Sequence, residues 1–301
     1  MDKKNFIPEN KKLLDPRIDS TFKSLFTRED EKSRDALKHL VGAIIGHEPK
    51  SVEVMNNELP AEVLYAKDIR LDLQCRMSDG ERINIEMQTC MGNDNLKARS
   101  LYYGCRMLSS FDMQGKHYHQ LPRVYQIMFT DFTLFDKEGG YMQTFTMRNG
   151  DTELVDNLQI IFIQMPLVKI WERERESKNF TEIEKWVIFL KYITDKSKRE
   201  LLNSIMDSSK GIREAGEILM TISDDEREWA IQESRYKGKV DYESGLLASH
   251  AKGVEEGIEK GRAEGREESK IEYARGMKAK NLPIEMIAEI TGLTAEQVEA
   301  L

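Results

Sequence analysis

Two stretches of the chain alternate strictly between apolar and polar side chains. In Asp68–Met77, Ile69, Leu71, Leu73 and Cys75 point one way and Asp68, Arg70, Asp72 and Gln74 the other. In the following segment Ile83, Ile85 and Met87 oppose Asn84, Glu86 and Gln88. Period two is the strand period, and Ser78-Asp79-Gly80-Glu81 between the stretches is turn-forming, so the pattern predicts a hairpin with one apolar and one polar face. Around it the period changes. Phe22, Leu25, Phe26 and then Leu37, Leu40, Val41, Ile44 and Ile45 recur at steps of three and four, which predicts helices within 19–46, with Asp19 or Ser20 as the first cap and Gly46 as the stop. A helix is expected over about 94–112, and strands at 51–56, Arg123–Thr130, 141–148 and 158–165. Helix, strands, helix and strand in this order predict an α/β fold, a mixed sheet flanked by helices.

From residue 171 the pattern is helical. Trp186, Val187, Phe189, Leu190 and Ile193 form one apolar stripe, and helices are expected at 212–222 and 224–234. Glycines at 238, 245, 253, 257, 261, 265 and 276 then fall on one helical stripe. That pattern fits either a polar linker helix or a close-packed helix pair between two chains. In the last segment Pro283 suits a helix start, Gly292 a stop, and Thr294 with Gln297 a capping box. This miniature helix-turn-helix has no Arg or Lys in its second helix, which favours packing or self-association over base reading. The organisation expected is therefore a domain over 1–170, a helical region over 171–234, a Gly/Glu/Lys-rich helix or linker over 235–280 and a small two-helix segment over 281–301.

Composition narrows the class. The 301 residues carry a net charge of -8, with 40 % hydrophobic and 33 % charged residues. No apolar run approaches the ~20 residues a bilayer needs, so no membrane is expected. The acidic excess falls mostly after residue 170, because 1–170 holds 23 Lys/Arg against 25 Asp/Glu. A local basic groove for nucleic acid therefore stays compatible with the overall charge. Three cysteines, Cys75, Cys90 and Cys105, form no CxxC and read as reduced thiols of a cytoplasmic protein. His117 and His119 alternate without an acidic or thiol partner at metal-ligand spacing and read as a surface pair.

The chemistry sits on the polar side of the hairpin. Adjacent strands lie about 4.8 Å apart, so Asp72 on one and Glu86 on the other can converge on one ion. Two carboxylates beside an amide carbonyl suit a hard divalent cation such as Mg²⁺, which can polarise a phosphodiester, while Gln88 orients a water. By spacing alone, the same residues also fit a hairpin whose polar face meets solvent. A sheet covered by helices on both sides weighs against that, since a covered face has no reason to hold Asp72, Glu86 and Gln88 without a task.

These residues resemble a known family. Leu71-Asp72, the Asp79-Gly80 turn and Asn84-Ile85-Glu86-Met87-Gln88 look like the core of the Rpn-type recombination-promoting nucleases, transposase-like members of the PD-(D/E)XK superfamily. Asp19-Ser-Thr-Phe22-Lys23-Ser-Leu-Phe26 is similar to the family's opening Asp-x-x-Phe-Lys-x-x-Phe, and Arg99-Ser-Leu-Tyr102-Tyr103 resembles its Arg-x-x-x-Tyr helix. Gly115-Lys-His-Tyr118 and Val124–Phe129 also fit, so the likeness covers nearly the whole chain. It implies a restriction-endonuclease-like fold followed by an all-helical C-terminal region, and Mg²⁺-dependent DNA cleavage in which Mn²⁺ can substitute. Asp72 and Glu86 match the metal-binding acids, and Asp19 an acidic position that completes the site. Gln88 stands where the superfamily has Lys and supplies no positive charge. Lys23, Arg70 and Arg99 become DNA-contacting candidates, and the C-terminal helices a means of homo-oligomerisation. The other readings are a catalytically weak DNA-binding or regulatory module that keeps the nuclease fold, and a structural oligomer.

Overall fold

The computed structural model describes residues 5–8, 13–55, 58–59, 69–70, 73–89, 95–168, 179–222, 253, 257–262 and 264–301. The chain divides into two compact units, 1–241 and 242–301.

The first unit is built on a six-stranded mixed sheet. Its strands are β1 (Val52–Val54), β4 (Leu73–Met77), β5 (Arg82–Gln88), β6 (Val124–Thr130), β7 (Met142–Asn149) and β8 (Thr152–Gln164), in spatial order β1-β4-β5-β6-β8-β7. β1–β4 and β4–β5 pair antiparallel, β5–β6 and β6–β8 pair in parallel, and β7 returns antiparallel on β8. Gly80, at φ 89, turns the β4–β5 hairpin as expected. The strand expected over Asp68–Met77 is divided. Its first part, β3 (Ile69–Arg70), pairs with β2 (Glu58–Leu59) in a separate ladder, and only Leu73–Met77 joins the main sheet. The last strand is longer than expected and begins at Thr152, because β7 and β8 stay paired beyond the edge of β6.

Helices cover both faces. α1 (Asp19–Phe26), α2 (Glu31–Ile45), α4 (Glu182–Tyr192), α5 (Arg199–Ser208) and α6 (Lys210–Thr221) share one core with Leu73, Cys75, Ile83, Ile85, Ile127, Phe129, Ile161 and Ile163. α3 (Leu96–Ser109) covers the other face through Leu96 and Met107 against Val124, Met128, Leu158 and Phe162. The helical segment described from residue 179 to 222 thus belongs to the same core as the sheet. α1 is preceded by Ile18, which makes no side-chain cap, so neither Asp19 nor Ser20 takes that role. The Asp15-Pro16-Arg17 turn, closed by Ile18 N to Asp15 O at 3.1 Å, sets the helix entry instead. The expected helix at 224–234 and Cys90 lie outside the described residues.

A polar knot joins the helices on the apolar side. Trp186 Nε1 donates to His39 Nδ1 at 2.9 Å, which leaves the ring proton on Nε2, 3.3 Å from Glu182 Oε2 and 3.4 Å from Ser209 Oγ. Ser209 Oγ donates to Glu182 at 2.9 Å, and Lys185 Nζ lies 2.7 Å from the other Glu182 oxygen. The knot closes because Gly211, in the first turn of α6, leaves room for it. A Cβ there would lie 2.4 Å from His39 Cβ.

In the second unit, residues 264–279 are helical, followed by helices Ile284–Thr291 and Ala295–Ala300. Gly292 ends the first of these at φ 71, and the Thr294–Gln297 capping box starts the second. Ala274, Ile287 and Val298 are its small core. Among the described residues, a Cβ at Gly253, Gly257, Gly261, Gly265 or Gly276 would meet nothing within 4 Å. No described helix is long and apolar enough to cross a membrane.

Burial holds His39 below the ordinary histidine pKa, and nearby Lys185 adds to this, against the pull of Glu182 and Glu48. The folded state therefore prefers neutral His39, whereas an unfolded histidine takes up a proton below about pH 6.5. The His39 contribution is intact above that pH and is lost as the pH falls below it. Urea unfolding between pH 7.5 and 5 should show a steeper loss of stability for the wild type than for His39→Gln, and equal slopes would refute the assignment. Gly211→Ala, which drives a methyl into His39, should cost about 1–3 kcal/mol in the same assay.

Candidate active site

The face of the sheet beneath α3 is polar where its centre should be apolar. Side chains alternate along a strand, so Ile83, Ile85 and Met87 of β5 enter the large core and Asn84, Glu86 and Gln88 turn toward the α3 side. Strand register then sets buried Gln74, Asn84 and Gln126 side by side across β4, β5 and β6. Asn84 Nδ2 donates to Gln126 Oε1 at 3.0 Å and to Glu86 Oε1 at 2.9 Å. Both amide hydrogens are used, so the Asn84 side chain is fixed in one orientation. Gln126 Nε2 turns to Met128 Sδ at 3.3 Å.

Glu86 is 3 % exposed. Arg99, in the first turn of α3, brings Nη2 to 3.8 Å from Glu86 Oε2, a coulombic pair longer than a hydrogen bond. The Tyr103 ring backs the guanidinium, with its centroid 6.0 Å from Cζ. Asn95 caps α3 by accepting from Ala98 N at 3.1 Å, and this places the Arg99 turn over β5.

Gln88 ends β5 at the carboxyl edge of the parallel strands and is half-buried. Its backbone oxygen accepts from Asp131 N at 2.9 Å. Asp131 follows β6 directly, and Arg17 Nη1 lies 2.5 Å and Lys191 Nζ 3.3 Å from its carboxylate oxygens. Arg17 also pairs with Asp15 at 2.6 Å, and the Asp15 hydrogen bond, followed by the charges of Asp15 and Asp131, raises the Arg17 pKa above its ordinary value. In the same row, Thr130 stands between Gln88 and Gln164. Gln164 Oε1 accepts from Leu134 N at 2.7 Å and Phe135 N at 2.8 Å, which pins the loop that leaves β6.

Among the residues singled out in the sequence, the structure brings together Glu86 and Arg99 and places Gln88 two residues beyond Glu86 on the same face. Asp19 is the first residue of α1 and Lys23 lies one turn later, half-buried; the Asp19 side chain lies outside the described residues. Arg70 is paired with Glu58 in β3, and its side chain also lies outside the described residues. Asp72, one residue before β4, lies wholly outside them. His117 and His119 stack at 5.5 Å in an exposed turn. Sequence reasoning missed Gln126, Arg17, Asp131 and Lys191. The signal for Gln126 was an amide on an otherwise apolar strand, whereas the Arg17–Asp131–Lys191 cluster joins segments far apart in sequence and left no local pattern.

The donors on this face are oxygens. The buried Glu86 carboxylate lies beside Arg99, and the Gln88 carbonyl is a second hard donor on the same face, so these two donors are of the kind a divalent ion such as Mg²⁺ takes. Among the described residues, no three His, Cys, Asp or Glu side chains gather into a metal-holding group. A separate concavity of about 370 Å³, lined by Leu101, Phe135, Phe145, Met147 and Phe162, is apolar and contains none of these groups.

Residues 16–249 match the model of a family described as PD-(D/E)XK nuclease family transposase. No curated protein and no solved structure matches the chain.

Asn84→Ala removes the buried donor shared by Glu86 and Gln126. Chemical denaturation should show a loss of about 1–3 kcal/mol. A change within a few tenths of a kcal/mol would mean that the amide row does not hold Glu86.

Proposed function

The chain belongs to the PD-(D/E)XK nuclease family transposases, and from that premise we propose that it is a Mg²⁺-dependent DNA endonuclease of the recombination-promoting type, with Mn²⁺ as a substitute. The observation that carries the reading is Glu86, a carboxylate buried on a covered sheet face and held from two sides by Asn84 and Arg99. A charge kept at that depth costs several kcal/mol, and a fold retains it where an ion or substrate makes use of it.

In this reading Asp72 and Glu86 hold the cation and Asp19 completes the acidic set. When bound, the cation neutralises charge on the scissile phosphate and makes a water more acidic. The Gln88 amide orients the water through its carbonyl, and the half-buried position of Gln88 leaves it in reach of solvent at the strand edge. Water adds at phosphorus, a P–O ester bond breaks, and the displaced oxygen takes up a proton. Lys23, Arg70 and Arg99 lie along the DNA backbone. The domain organisation proposed is 1–170 for catalysis, 171–234 as a helical region, 235–280 as a helix or linker, and 281–301, with the C-terminal helices driving self-association so that two sites meet one duplex. The cytoplasm is the proposed location, which the sparse cysteines, Cys75 and Cys105 free among them, support. One observation favours a second reading: Gln88 contributes no charge, which supports a DNA-binding or regulatory module of low catalytic power.

Supercoiled plasmid incubated with the protein in Mg²⁺, Mn²⁺ or EDTA tests the choice. Metal-dependent nicking or linearisation is expected, with at least a roughly 100-fold loss in Asp72→Ala and in Glu86→Ala. An inert wild type that still shifts DNA on a gel would replace the endonuclease with the binding module.

A further inference from the structure

β7 is the outer strand of the sheet, and among the described residues no strand pairs with its free side. An open strand edge presents unmet N–H and C=O groups, and folds ordinarily blunt it by short length, lysine or proline. The opposite edge is blunted in this way, since β1 is three residues long and contains Glu53. β7 is eight residues long, has no Lys or Pro, and carries one charged side chain, Arg148. Its register on β8 shifts between Phe145 and Arg148, which leaves Met142–Phe145 as a regular stretch open to a partner.

The apolar surface beside this edge is uncovered as well. Phe145 is 42 % and Met147 41 % exposed. β8 pairs with β6 only from Leu158 onward, so the two-stranded arm before it projects past the sheet, with Leu154 76 % exposed. A two-stranded arm gains little stability of its own. Its tip is acidic, because Glu153 matches Arg148 at 3.9 Å and Asp151 adds a further negative charge. The concavity between α3 and β7 has its cation at the other end. Phe135 is bonded there to Gln164 at the carboxyl edge, and Lys97 Nζ lies 4.4 Å from the Phe135 ring centroid.

The geometry points to a second copy of this chain as the occupant of the β7 edge. Met142–Phe145 pairs antiparallel with itself about a twofold axis at Thr144, and the two sheets join edge to edge. With the axis on a residue, paired side chains share a face, so the apolar sides of both sheets stay aligned. No like charges are set opposite one another, since Met142–Phe145 carries none. The same rotation carries the acidic arm of each copy toward the Lys97 end of the other, so Leu154 and its neighbours meet apolar surface with an opposite charge at the rim. The contact is isologous and closes at two copies. The acidic tip weighs against nucleic acid as the occupant. This surface is distinct from the C-terminal helices, and the inference does not rest on the nuclease reading.

Sedimentation of the full chain from low to high micromolar concentration tests this, on wild type, Thr144→Lys and Leu154→Lys, with amide hydrogen exchange of the segment 142–149 measured across the same range. Thr144 and Leu154 are both exposed, so the variants keep the fold of the single chain. Wild type should dimerise, and 142–149 should gain protection as the dimer fills. Thr144→Lys sets two lysines against each other on the axis and should weaken the dimer at least about tenfold. Leu154→Lys removes apolar cover from the arm and should weaken it about fivefold. A wild type that stays monomeric throughout overturns the inference. So does a dimer that Thr144→Lys leaves unchanged, or one in which 142–149 gains no protection, because association then belongs to another surface. A dimer weakened by Thr144→Lys but not by Leu154→Lys overturns the part given to the arm.

Discussion

A buried carboxyl group on a sheet face that a helix covers is the constraint around which the centre of this domain is arranged. Glu86 is almost wholly removed from water, so its polar oxygens are met by neighbouring side chains. Asn84 supplies one hydrogen bond, and its second hydrogen is tied to Gln126, so the amide cannot rotate away. Arg99 supplies the opposite charge from α3. Strands buried on both faces are ordinarily continuous apolar runs. β5 and β6 break that rule at Asn84, Glu86 and Gln126, and the three departures answer one another. A network of this kind is rigid when complete and costly when one member is missing.

The opposite face of the same strands bears the stability that such a face requires. Ile83, Ile85, Ile127, Phe129, Ile161 and Ile163 enter a core shared with five helices, three of which come from beyond residue 180. The apolar stripe of α4 is therefore not the core of a separate helical body. Trp186 is buried against Phe26, His39 and Phe189, and its indole N–H donates to His39. The division of labour follows from period two. One set of alternate residues gives the sheet its packing, and the other is free to depart from apolar character, because the strand is already held in register from behind.

How much of this was legible depends on the range of the interaction. The β4–β5 hairpin, the polar side of β5, the α2 stop at Gly46 and the Thr294–Gln297 capping box all come from contacts within a few residues, and all could be read from the chain. The pairing of Ile69–Arg70 with β2 instead of the main sheet could not, since the alternation runs on unchanged from them into β4. Gln126 was not singled out, because its partner Asn84 lies 42 residues away on the neighbouring strand. The Arg17–Asp131 pair is 114 residues apart in sequence and exists only because the turn before α1 arrives at the end of β6. At the site itself, the polar spacing identified which residues to examine, and the covering helix decided that Glu86 is a buried charge and not a solvated one.

The carboxyl edge of β5 and β6 shows why charge composition was a poor guide to ligand class. Arg17 and Lys191 converge on Asp131, and Asp15 takes up the second side of Arg17, so two cations and two anions cancel within one cluster. Asp131 is in turn bonded through its backbone to Gln88. The edge at which parallel strands of open sheets present ligands is thus locally neutral rather than basic, like residues 1–170 as a whole. Arg99 is held by Glu86, and Arg17 and Lys191 by Asp131, each by a carboxylate within 4 Å. Any ion or phosphate that engages one member of these pairs changes what the other has to compensate. The electrostatics of this edge are set by exchange between paired groups, and net charge along the chain carries almost no information about it.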